Sequence, residues 1–75
     1  MVAYRITDQV AALFRQGERE QIRPLRPGAI VIPRTPPDVA GMIEATCDGR
    51  NIVVFSRDLS ERSEPIETEL VGAPH

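Results

Sequence analysis

The sequence predicts a mainly β domain, a small, strongly bent five-stranded barrel with one N-terminal α-helix. Three observations lead there. Short β-branched runs recur between turn residues, at 29–32, 39–47, 52–55 and 66–70. Asp48-Gly49 separates two of them, and this dipeptide tolerates the positive φ angles of a tight hairpin turn. Only one segment, near the N-terminus, shows helical spacing. A sheet built from so few short strands hides its edges best by closing on itself, with a helix over one opening.

In chain order, residues 2–6 alternate Val2, Tyr4, Ile6 and read as extended. Thr7 and Asp8 are good helix N-caps, because a short side-chain oxygen can accept from the free amides of a first turn. Val10, Leu13 and Phe14 then recur at helical spacing, and Gly17 stands where a left-handed C-cap is needed. This predicts an amphipathic helix over about 8–16. Pro24, Pro27 and Gly28 keep any helix out of 23–28. Pro33, Pro36, Pro37 and Asp38 form a stiff loop. The strand at 39–47 contains Gly41, which implies a bulge or sharp bend. Across the Asp48-Gly49 turn, Ile43, Ala45 and Cys47 share a face with Ile52 and Val54. Residues 57–65 are polar and read as a loop. Ile66, Thr68 and Leu70 alternate with Glu67 and Glu69, as in a last strand with one wet face. The barrel spans about 20–71, and 72–75 form a frayed tail.

The 75 residues allow one domain, 1–75, with a marginal core. Net charge is −2, and all nine cations are Arg. They are unevenly spread: residues 1–34 hold six Arg against three acids, and residues 35–75 hold three Arg against eight. A bulk nucleic-acid binder is usually strongly basic. The split instead favours association between copies, and a small core with neither disulfide nor metal gains most from a partner. One Cys excludes an internal disulfide framework and a multi-cysteine zinc site. The only His is His75, which leaves no material for a catalytic triad. No signal pattern opens the chain and no apolar run is long enough to span a bilayer, so the expectation is a cytoplasmic protein without a membrane partner.

The segment Gly41-Met42-Ile43-Glu44-Ala45-Thr46-Cys47-Asp48-Gly49-Arg50-Asn51 resembles the first signature of the Sm-like proteins. There a strand Gly, an Asp and an Asn sit around a hairpin whose tip lines the pore of an RNA-binding ring. The resemblance implies that Gly41 bends the strand, Asp48 supports the loop and Asn51 reads a base edge; Arg50, where that family usually has an apolar residue, is itself able to reach phosphate. Any Asp-Gly hairpin in a small barrel of the Src homology 3 type has the same pattern, and both readings share one architecture.

Pro24-Leu25-Arg26-Pro27 and Pro33-Arg34-Thr35-Pro36 space prolines three apart, as polyproline II ligands do. Arg23, Arg26 and Arg34 are therefore the expected interaction surface, although prolines also simply stiffen the loops of small domains. Cys47 sits on an apolar strand face and reads as a small buried hydrophobe rather than a reactive thiol. Asp58, Glu61, Glu64, Glu67 and Glu69 are interleaved with Arg and Ser and read as a solvated surface, not a metal site. The expectation is a small non-catalytic protein–protein binding module, a homo-oligomer or a regulatory subunit. It needs no cofactor and has no small-molecule substrate. The alternative is an Sm-like RNA-binding ring protein, for which the eight acids of the second half argue against tight RNA binding.

Overall fold

The computed structural model describes residues 2–67. The chain forms β1 (Val2–Ile6), β2 (Val10–Gln16), β3 (Arg19–Leu25), β4 (Ile30–Pro33), β5 (Met42–Cys47), β6 (Arg50–Phe55), α1 (Ser56–Arg62) and β7 (Ser63–Glu67). The strands join in one seven-stranded sheet of order β3-β2-β6-β5-β4-β1-β7, with every pair antiparallel. Mainly β is therefore correct, and the five-stranded barrel with an N-terminal helix is not. The sheet is open, with β3 and β7 at its two ends. The single helix among the described residues lies in the C-terminal half.

The hairpin read from Asp48-Gly49 is present. Cys47 pairs with Arg50 across it, and the two turn residues have φ of 58° and 77°. Ile43 faces Val54 and Ala45 faces Ile52, and all four side chains are buried. The strand begins at Met42, not 39. Val39 is fully exposed, and Gly41 lies ahead of the strand with φ of 82°. It closes a turn in which Asp38 Oδ1 accepts from the amides of Ala40 and Met42, so it does not bend β5 from within.

The predicted helix at 8–16 is the strand β2. Its apolar run is continuous because β2, an interior strand, has an outer face that is also apolar but only partly covered, with Leu13 half-buried and Ala11 exposed. Val10 and Ala12 enter the core, while Leu13 on the other face lies between Ile22 of β3 and Val53 of β6. Such a run satisfies a helical period and a strand period at once. Gly17 is left-handed, with φ of 63°, but it opens a two-residue turn to β3 instead of capping a helix. Positive φ at only the first loop residue is the type II′ pattern.

The predicted loop at 57–65 divides into α1 and β7. The helix inserts one side chain, Leu59, into the core. Its last turn is tied to the β1–β2 connection, where the amides of Thr7 and Asp8 donate to the Arg62 carbonyl and Arg62 Nη1 donates to the Gln9 carbonyl. Beyond α1 the chain pairs with β1, Ala3 opposite Ile66. The expected strand at 66–70 starts earlier, at Ser63. Its end and the frayed tail at 72–75 lie outside the described residues. No described helix is long and apolar enough to cross a membrane.

Candidate functional site

Strand registers decide which side chains share the core face. Phe14 stands opposite Ile52, which stands opposite Ala45, so these three form one row on that face. One step toward the hairpin tips, the next row consists of Gln16 paired with Arg19 and of Arg50 paired with Cys47. On β3, Gln21 lies opposite Phe14 and Arg23 opposite Ala12. The apolar face thus continues into a polar cleft of about 630 Å³ between the β2–β3 and β5–β6 hairpins. Phe14 lies at its inner end, half-buried against the core.

The cleft is electrostatically one-sided. Among the described residues no acidic one lines it, although the whole chain is acidic. Arg19, Arg23 and Arg50 make no ion pair with a carboxylate among the described residues, whereas Arg5, Arg15 and Arg34 are paired with Glu64, Glu20 and Glu44. Arg23 donates from Nε to Gln21 Oε1 at 3.1 Å, which leaves its two terminal nitrogens for a ligand. Guanidinium groups without carboxylate partners, side by side with amides, suit bidentate contacts to phosphate or carboxylate oxygens.

The residues expected to act divide accordingly. Arg50 and Arg23 reach one cleft, although each came from a different half of the chain and a different reading. Asn51 borders the cleft, but it pairs with Arg15 and Thr46 and so alternates to the opposite side of β6 from Arg50. It is the second residue of a strand, not a hairpin tip. Asp48 occupies the left-handed turn position, and its carboxylate holds no hydrogen bond among the described residues. Arg26 is exposed in the β3–β4 turn, and Arg34 is paired with Glu44 at 3.7 Å. Of the expected surface of Arg23, Arg26 and Arg34, Arg23 is the one that lines the cleft. Phe14, Gln16, Arg19 and Gln21 were missed. Arg19, Gln21 and Arg23 alternate along β3, and that period is their signal once 19–25 is recognised as a strand.

Cys47 ends the apolar row beside the cleft. Burial pushes its thiol up from the ordinary range, and the neighbouring Asp48 carboxylate adds to the rise. A thiol held protonated is a poor nucleophile. Among the described residues no three side chains are grouped to hold a metal ion. The chain matches no family model, no curated protein and no solved structure.

Proposed function

We propose that the protein is a non-catalytic binding module that holds a single-stranded nucleic acid in the arginine cleft. The observation that carries this reading is the convergence of Arg19, Arg23 and Arg50, free of carboxylates, around the half-buried ring of Phe14. Single strands are held by cationic grooves along the backbone together with aromatic rings on which bases stack. Gln16 and Gln21 add amides that can both donate to and accept from base edges.

The acidic second half does not oppose this. Of its carboxylates, Glu44 is paired with Arg34 and Glu64 is paired with Arg5 at the far end of the sheet, while Asp48 sits in the turn beside Gly49 at the edge of the cleft. Three phosphate contacts make a modest site. The expected affinity falls in the ordinary non-specific range, Kd about 10⁻⁴–10⁻⁶ M, with a log–log salt slope near −2 for single strands.

The test is fluorescence anisotropy with labelled ten-residue RNA and DNA single strands, a duplex control and a poly-glutamate peptide. The expected result is single-strand binding that weakens when Arg19, Arg23 or Arg50 is replaced by Ala. The RNA and DNA arms show whether the 2′-hydroxyl is read. No binding at low salt, or tighter binding of poly-glutamate, overturns the reading.

A further inference from the structure

The β3 edge has its own chemistry, and it goes beyond the reading of the cleft. The Gln16–Arg19 pair closes a two-residue turn. In such hairpins the closing pair is hydrogen-bonded, and bonded pairs then alternate. Residues 19, 21, 23 and 25 therefore bond to β2, while 20, 22 and 24 point their backbone groups outward. Pro24 agrees with this assignment, because its missing N–H falls on the open edge where β2 does not need it. At the centre of the seven-residue strand is Ile22, 75% exposed. On its own face it meets Leu13, which meets Val53, so an apolar strip runs to the edge and stops in solvent.

We infer that two copies of this chain pair antiparallel through β3 about a two-fold axis at Ile22, extending the sheet and joining the two arginine clefts into one groove. The choice of a second copy, and of this register, follows from charge. A continuous sheet face requires residues of the same parity to meet, so the axis must pass through one residue. An axis at Glu20 sets two glutamates against each other. At Gln21 it sets Arg19 against Arg23, and at Arg23 it sets two arginines against each other. Like charges directly opposite are destabilising. Of the axes at Glu20, Gln21, Ile22 and Arg23, the one at Ile22 avoids them, and an axis at Pro24 would centre the seam on two residues without an N–H. The Ile22 axis places Ile22 against its copy, Gln21 against Arg23, Glu20 against Pro24 and Arg19 against Leu25, and each Glu20–Pro24 pair keeps one ladder hydrogen bond instead of two because Pro24 has no N–H. The Gln21–Arg23 pairing repeats between copies a contact each chain already makes within itself. Ile22 then exchanges two backbone hydrogen bonds with its copy, and the apolar strip continues from Val53 of one chain to Val53 of the other.

The experiment uses the protein alone, so its outcome is independent of nucleic-acid binding. In a Cys47→Ala background, Ile22→Cys, Gln21→Cys and Arg23→Cys are oxidised separately and resolved without reductant. A bonded antiparallel pair sets Cα atoms about 5.5 Å apart, within disulfide reach, whereas residues on the diagonal lie about 7–8 Å apart. Ile22→Cys is expected to cross-link about tenfold faster than the other two, given that geometric limit. Light scattering of the unmodified chain is expected to rise with concentration from 8.3 kDa toward twice that mass, and Ile22→Lys is expected to hold it at the lower value. Equal cross-linking at the three positions overturns the proposal. So does a monomer persisting at about 1 mM, a concentration that would reveal even an association of about 4 kcal/mol; the edge would then be open to an extended peptide instead.

Discussion

Phe14 stands directly opposite Ile52 in the β2–β6 ladder, with one side chain half-buried and the other sealed. This pair marks the boundary on the core face between packing and binding. On these two strands the residues inward of it are apolar, Ala12 and Val54, and the residues outward of it are Gln16 and Arg50.

Ile52 is 1% exposed. Ile52→Ala is expected to cost about 2–5 kcal/mol, the range for emptying a packed site. Ile22→Ala, on the open edge, should change stability by less than about 0.5 kcal/mol. Urea titrations of the two variants check this, and an equal loss would contradict the burial pattern.

Phe14→Leu keeps an apolar side chain against the core while removing the stacking surface. It is expected to weaken single-strand binding by about 1–3 kcal/mol. Arg50→Ala should weaken RNA and DNA alike and reduce the salt slope by about 0.7, one phosphate's share. Anisotropy titrations at several salt concentrations separate the two effects.

Cys47 provides a pH signature. Its folded thiol titrates above the unfolded one because burial, and then Asp48, disfavour the thiolate. The stabilisation is fully present below the unfolded thiol's pKa of about 8.5 and is lost as pH rises through the higher folded value. Melting temperature should therefore fall more steeply above that pH in the wild type than in Cys47→Ala. Iodoacetamide should label the native thiol far more slowly than the denatured one at pH 8.

Gly17 has open space around the position of a Cβ but a φ of 63°. Gly17→Ala is therefore expected to cost about 1–2 kcal/mol through backbone strain alone. Thermal denaturation checks this. A neutral substitution would mean that the turn relaxes to another type.

The β5–β6 hairpin was legible because its turn chemistry and its alternation point the same way. β2 was not, because Ala11 and Leu13 on its outer face are apolar too, so the run loses the alternation that would identify a strand. β3 failed for the opposite reason: six of its seven residues are exposed, so it lacks an apolar alternation, and Pro24 looks like an interruption. α1 anchors itself by Leu59 alone, and one buried residue in seven makes no helical stripe. The cleft was legible only as isolated arginines. Its assembly depends on the register that brings Arg19, Gln21 and Arg23 beside Arg50, and register between distant strands is set by packing rather than by local sequence.

The route of the chain through α1 also shapes how the molecule comes together. The helix lifts the backbone from the third strand of the sheet to its far end, where Ala3 meets Ile66. The β2–β3 and β5–β6 hairpins close over two residues each, whereas β1 meets β4 across 27 residues, Tyr4 to Val31, and β7 across 63, Ala3 to Ile66. Loop closure over such a distance is entropically costly, and topologies rich in long-range pairings fold slowly. The two hairpins are the natural early elements, and their junction, which pairs Leu13 with Val53 across 40 residues, encloses the cleft afterwards. Ala3→Gly should therefore act mainly on the unfolding rate and Val54→Ala on the folding rate as well, a contrast read directly from the two arms of a chevron plot. During synthesis the groove has all its strands once β6 has emerged, while β1 still lacks its β7 neighbour, so recognition does not wait for β7.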